Sequence, residues 1–245
     1  MVLNTQVILS DVIQQAREKV NLAVSLRRSR RMAIRTLPTP SYSQFGEDAV
    51  LQAFLPPGDG FYIDIGSGHP TQGSNTYALY LMGWRGILID PIASNISLSH
   101  AVRPGDTCIL GLCGDADGDS VEFFEFEIYQ YSTMLPGRAK EVEKLGHKVK
   151  STYELTVTTV AEQISSVTFD GPTVLSIDVE GAEYQVLQGN DWDHFRPDLI
   201  CVEEWEPPLL KSTEVSGFLA TKGYTLIAVT GFSSIYQLRS SSAEA

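Results

Sequence analysis

The sequence predicts an α/β fold with a mostly parallel sheet, and three observations carry that prediction. From residue 41 onward, strand-length apolar runs alternate with helical stretches. Several of the runs are continuously apolar, as strands covered on both faces must be. Glycines and acids cluster just past the runs, where open parallel sheets bind their ligands.

The elements follow in order. Ser43 is placed to cap a helix with Glu47 and Asp48 in its first turn, where the helix dipole favours acids. Residues 61–66 (FYIDIG) form a strand ending in glycine, and residues 75–82 (NTYALYLM) a helix that stops at Gly83. Residues 86–90 (GILID) and 107–112 (TCILGL) are the next two strands. Residues 121–127 (VEFFEFE) alternate like a half-exposed strand after the Asp117-Gly118 turn. A short charged helix over 139–145 and an alternating strand over 153–158 come next. Residues 173–178 (TVLSID) and 199–203 (LICVE) read as buried strands on either side of a helix over 182–187. A helix over 214–222 leads to strands over 224–229 and 234–238, joined by a loop containing Gly231 and therefore antiparallel.

Ahead of these, apolar residues such as Val7, Val12, Ala16 and Val20 recur at helical spacing, and Pro38-Thr39-Pro40 marks a linker. Residues 1–40 are thus expected to be a basic helical extension, 41–240 one domain and 241–245 a disordered tail. The extension holds seven basic and two acidic residues, a net +5, so the rest of the chain carries −17 of the overall −12. A basic helix beside an acidic body suggests docking, and self-association into a homo-oligomer is the expected use. The acidic body excludes non-specific binding to nucleic acid. Hydrophobic residues make up 43% of the chain, but no apolar run reaches membrane-spanning length, so no stable membrane insertion is expected. The start lacks the apolar block of a secretory signal. Cys108, Cys113 and Cys201 lie within strand-like runs and form no CxxC pair, which suits reduced thiols in the cytoplasm.

The chemistry lies at the strand ends. Asp64-Ile65-Gly66-Ser67-Gly68-His69-Pro70 closes the first strand, with two glycines that let the backbone approach a ligand closely. Asp90 ends the second strand, 26 residues beyond Asp64, where a carboxylate can accept from both hydroxyls of a ribose. A dinucleotide fingerprint needs a third glycine where Thr71 stands. The pattern therefore favours a nucleoside ligand without a pyrophosphate over a nicotinamide dinucleotide.

Several of these stretches together resemble one family. Ser43-Gln44-Phe45-Gly46-Glu47-Asp48, the residues from Phe61 to Pro70, Ser74-Asn75-Thr76-Tyr77, Gly83-Trp84-Arg85-Gly86 through Asp90-Pro91, and Ser176-Ile177-Asp178-Val179-Glu180-Gly181-Ala182-Glu183 are similar to the FkbM methyltransferases. The likeness runs from about residue 41 to 239. It implies the Rossmann-like class I methyltransferase fold, with seven strands, the last antiparallel, and helices on both faces. It also implies S-adenosylmethionine as cofactor and O-methylation of a sugar-like or natural-product hydroxyl. On this resemblance Asp64, Gly66 and Gly68 line the cofactor's amino-acid and ribose portions and Asp90 takes the ribose. Asp115 reaches the adenine edge, and Gln44 and Asn75 touch the cofactor. Asp115, Asp117 and Asp119 are also ordinary turn residues, and with Phe at position 126 they lack the distal acid of a calcium loop.

Asp178 and Glu180 close one buried strand; Glu203, Glu204 and Glu206 close the next. Acids at adjacent parallel tips share one crevice and raise each other's pKa unless a cation or a shared proton relieves them. Asp178, Glu180 and Glu203 are the catalytic candidates, one acting as base on the acceptor hydroxyl. Metal-dependent O-methyltransferases of this fold are similar here, which makes Asp178, Glu203 and Glu204 a candidate Mg²⁺ set. The loop from Tyr129 to Met134 suits a small-molecule acceptor. A catalytically silent binding module of the same fold is the alternative.

Overall fold

A computed structural model describes residues 40–209 and 211–239; the expected basic extension, its role in self-association and the expected tail lie outside them. The chain runs α1 (Glu47–Phe54), β1 (Phe61–Ile65), α2 (Tyr77–Leu81), β2 (Arg85–Asp90), α3 (Ala93–Val102), β3 (Thr107–Leu110) and β4 (Leu112–Cys113). It continues with β5 (Ser120–Phe126), a 3₁₀ turn (Tyr129–Tyr131), α4 (Pro136–Lys144), β6 (Val149–Thr158), α5 (Val160–Ile164) and β7 (Thr173–Ile177). It closes with α6 (Glu183–Gln188), β8 (Leu199–Glu203), α7 (Glu214–Thr221), β9 (Tyr224–Thr230) and β10 (Ser233–Leu238).

Seven strands form one sheet in the order β3-β2-β1-β7-β8-β10-β9. Its strands pair in parallel except β10, which is antiparallel to both β8 and β9. The fold is thus the expected α/β class, with the last strand reversed. Strands β1, β7 and β8 are buried almost throughout, which is why their sequences are continuously apolar. Successive side chains feed opposite faces. Ile63, Ile65, Leu175, Ile177 and Val202 join Trp192 and Phe195 on one side. Tyr62, Leu88, Val174 and Cys201 meet Leu51, Leu79 and Trp84 on the other. All three cysteines are free thiols.

Register decides where the strand tips fall. Ile65 lies level with Ile89 and Ile177, and Ile177 with Val202. Gly66, Asp90, Asp178 and Glu203, one residue further on, therefore emerge side by side. Strand order reverses at β1, the position at which such sheets open a crevice.

The structure corrects several sequence expectations. The run 107–112 is two strands, because β2 ends at Asp90 opposite Leu110 and leaves the chain beyond Gly111 without a partner. Leu112 and Cys113 pair with β6 instead, completing a second sheet ordered β4-β6-β5. Strand β6 starts four residues earlier than expected, since β5 offers partners as far as Val149. The helix after Asp90 has no apolar stripe in its sequence (ASNISLSHAV) and was not legible. Gly46, at φ 92°, precedes α1, while Ser43 bonds to Asp48.

One buried network supports the crevice from below. Arg103, wholly buried, donates to Asp106 at 2.8 Å and to Thr76 at 3.0 Å, and Tyr62 donates to Asp106 at 2.6 Å. Thr76 in turn donates to Asp64. A buried charge survives only when so paired, and this pairing pins the segment that carries Asn75. Among the described residues no helix is long and apolar enough to cross a membrane.

Candidate active site

A cavity of about 1110 Å³, counted out to its open mouth, lies beyond the carboxyl ends of β1, β2, β7 and β8. Gly66, Gly68, Asp90, Asn75, Gln44, Asp178, Glu180 and Glu203 all line it, as their sequence positions suggested.

At one end, Asp90 organises the glycine loop. Its Oδ2 accepts the Gly68 N–H at 2.8 Å, and its Oδ1 accepts from Ile92 N at 2.8 Å and from Asn95 Nδ2 at 3.1 Å. A carboxylate offers about four acceptor positions, so Oδ2 keeps capacity for a ligand hydroxyl. Burial pushes the Asp90 pKa up to about 6 against those three donors. Ile92, Leu112, Phe123 and Met134 form an apolar wall beside it, supplied largely by the second sheet. The Ser67 hydroxyl faces the cavity buried and without a partner. These features fit a nucleoside: an acid for the diol, an apolar slot for the base and unspent polar groups for the remainder.

At the other end, Asp178, Glu180 and Glu203 bring one carboxylate oxygen each within 4.8 Å of one another. Asp178 opens into the cavity beside Glu203. Burial, then the surrounding carboxylates, hold both well above the ordinary carboxylate range. Acids this close favour protonation of one another, while Glu203 Oε2 remains buried without a partner. Glu180 is raised to about 7, by burial first, although Arg138 donates to it at 3.1 Å. Its backbone sits at φ 56°, a left-handed conformation that costs a non-glycine residue about 1–2 kcal/mol. Thr133 holds it there by donating to the Glu180 carbonyl at 3.0 Å. Glu183 accepts the Val179 and Gly181 N–H groups at the start of α6 and plays a structural part.

Three expected residues are placed elsewhere. Asp64 lies under the cavity floor, its carboxylate committed to Thr76 at 2.5 Å, so it positions the loop and does not line the site. Asp115 is exposed in the turn after β4 and does not line the cavity. Glu204 turns away from Asp178. It accepts from Thr213 at 2.5 Å and Tyr236 at 2.6 Å, so the expected ligand set is replaced by Asp178, Glu180 and Glu203. His69 folds back on its own loop, its Nδ1 accepting from Thr71 and Gln72.

Sequence reasoning overlooked Glu47 and Arg138. Glu47 is buried in the cavity wall, and its signal was the Ser43–Asp48 motif, read there as a helix start. Arg138 comes from a charged helix with nothing in its local sequence to single it out. Tyr129, in the loop expected to meet an acceptor, lies across Gly68, where an added Cβ would come within 3.3 Å of its ring.

The methyltransferase FkbM domain family matches residues 64–225 of this chain. A search of the curated proteins returns no match. Among solved structures, a TehB-like SAM-dependent methyltransferase from Corynebacterium glutamicum is similar at 14% identity and a TM-score of 0.38, over 90% of this chain and 100% of that one.

Proposed function

The chain belongs to the FkbM family of S-adenosylmethionine-dependent methyltransferases, and we propose that it methylates a hydroxyl oxygen of a sugar-like or natural-product small molecule. The observation that carries this reading is one cavity joining the Asp90–Gly68 cradle to the Asp178–Glu203 pair. Asp90 would take the cofactor's ribose, the wall of Ile92, Leu112, Phe123 and Met134 its base, and Gly66, Ser67, Asn75 and Gln44 its amino-acid portion. When bound, S-adenosylmethionine supplies an electrophilic methyl group.

The chain's own part is alignment and proton removal. Asp178 and Glu203 face the space left for an acceptor, and the ionised Asp178 would accept the hydroxyl proton at a carboxylate oxygen as the acceptor oxygen bonds the methyl carbon and the methyl–sulfur bond breaks. Because the displacement is in-line, most of the acceleration comes from holding the acceptor oxygen on axis. Calorimetry tests the cofactor half directly: S-adenosylhomocysteine should bind and NAD should not. Asp90→Ala should weaken S-adenosylhomocysteine by about 1.5–3 kcal/mol, the value of a charge-assisted hydrogen bond, in a protein that still folds. Unchanged affinity would remove Asp90 from the site.

Mg²⁺ is the second reading, favoured by the unpartnered Glu203 Oε2 among three converging oxygens. Arg138 already neutralises Glu180, and burial with neighbouring acids favours the protonated forms of Asp178 and Glu203, so we propose transfer without a metal. Turnover should therefore survive EDTA. Loss with EDTA, restored by Mg²⁺, would instead assign Asp178, Glu180 and Glu203 as ligands.

We further propose a cytoplasmic protein without nucleic-acid partners or membrane insertion, self-associating through residues 1–40. The opposite charges of that segment and the acidic body support self-association. Light scattering should then show a chain starting at Ser41 to be smaller by more than the mass deleted. Equal monomers would defeat it.

A further inference from the structure

The surface beside the cavity mouth departs from the acidic body around it. Trp205, Phe45 and Phe232 are 47%, 49% and 40% exposed, and contiguous exposed rings of this kind mark interaction sites. They touch in series. Phe45 meets Phe232 edge-on with centroids 5.7 Å apart, and Phe232 meets Trp205 at 4.8 Å. The strip runs beside the cavity: Gln44 and Ser233, the chain neighbours of Phe45 and Phe232, line it. At the far end Arg138 lies 4.8 Å over the Trp205 ring while donating to cavity-lining Glu180.

The rings are held in place before any ligand arrives. Phe45 lies so close on Gly231 that an added Cβ there would stand 2.1 Å from the ring. The Phe232 carbonyl accepts the Glu204 N–H at 2.7 Å, and the Glu204 carboxylate is itself secured by Thr213 and Tyr236. Preorganised aromatic faces bind flat partners at little entropic cost.

Resting on the O-methylation reading, we propose that this strip seats the acceptor and that the acceptor is a neutral pyranose. Its C–H face lies on the aromatic rings and its reacting hydroxyl turns inward to Asp178 and Glu203. A ring of axial C–H groups offers the weakly positive, flat surface that aromatic faces attract, whereas an open-chain polyol has no such face. Charge excludes the acidic sugars. Asp178, Glu180, Glu203 and Glu47 surround the site, and among the described residues no lysine or arginine lines the cavity. A carboxylate or phosphate on the acceptor would be desolvated there with no lysine or arginine on the lining to receive it, Arg138 being already committed to Glu180.

Saturation-transfer NMR on the full chain with S-adenosylhomocysteine tests the proposal. The probes are methyl glucoside, galactoside, mannoside and rhamnoside, methyl glucuronide, glucose 6-phosphate and sorbitol. At least one neutral pyranoside should show transfer to its ring C–H protons, with the glucuronide, the phosphate and sorbitol silent. Trp205→Ala and Phe232→Ala should each weaken that pyranoside about tenfold or more while leaving S-adenosylhomocysteine affinity unchanged, since neither ring lines the cavity or its cofactor end. No pyranoside signal despite cofactor binding overturns the inference, as does wild-type pyranoside affinity in both variants or equal binding of the anionic sugars. Failure of S-adenosylhomocysteine itself to bind would instead defeat the methyltransferase reading on which the inference stands.

Discussion

Asp178→Asn should lower kcat by about 10³, within the range for losing a positioned general base, while S-adenosylhomocysteine affinity is largely kept. The substitution keeps the shape and removes the basic oxygen from the pair with Glu203. Asp90 and the glycine loop, at the other end of the cavity, are untouched. The pH profile should change with it. A base works when deprotonated, and burial together with neighbouring carboxylates holds the Asp178 pKa high. Wild-type turnover should thus rise from the neutral into the alkaline range, not level off above pH 5 as it would for an ordinary aspartate. The residual rate of Asp178→Asn should lose most of that rise. Steady-state kinetics across pH, on whichever acceptor turns over, would decide the matter; a variant with near-normal kcat would take Asp178 out of the chemistry.

Gly66→Ala should be the most damaging single methyl group in the molecule's binding loop. At φ 73° the backbone is left-handed, and an added Cβ would stand 1.7 Å from the Asp178 carbonyl oxygen. Neither neighbour can yield cheaply. The Gly66 N–H bonds to the Ile89 carbonyl at 2.9 Å, and the Asp178 N–H bonds to the Ile65 carbonyl at 3.0 Å. The strained conformation and the overpacking together should cost about 3–5 kcal/mol, lowering Tm by about 10 °C. Surviving folded protein should bind S-adenosylhomocysteine at least about a hundredfold more weakly, because the same clash shifts the loop and Asp178 apart. Thermal unfolding and calorimetry on the same sample would show it. Gly68→Ala is milder, since its added Cβ would meet only the edge of the Tyr129 ring at 3.3 Å.

The two variants probe parts of the site that differ in how readable they were. Gly66, Gly68 and Asp90 could be placed from local pattern alone: each follows a continuously apolar strand, and a parallel sheet puts such residues at one edge. The same logic located the acidic corner to within a residue or two. It was unable to divide the acids there. Glu203 and Glu204 are adjacent, yet one joins Asp178 and the other is captured by Tyr236 of β10 and Thr213 ahead of α7. Consecutive residues at a strand end leave in different directions, and which of them meets the cavity depends on partners far along the chain.

Periodicity and composition settled the α/β class, the run of buried strands, the reversed final pair and the glycine–acid frame of the cavity, because these depend on each segment's own hydrophobic pattern. Packing alone settled the rest. It broke the strand at Gly111 and sent Leu112 and Cys113 to a second sheet, which contributes Leu112 and Phe123 to the cavity's apolar wall. It brought Arg138 to Glu180 across 42 positions, and it drew Phe45, Trp205 and Phe232 into one strip. Contacts between such distant residues arise only when whole elements dock. Their geometry is a property of the assembled layers, and no local stretch of the sequence encodes it.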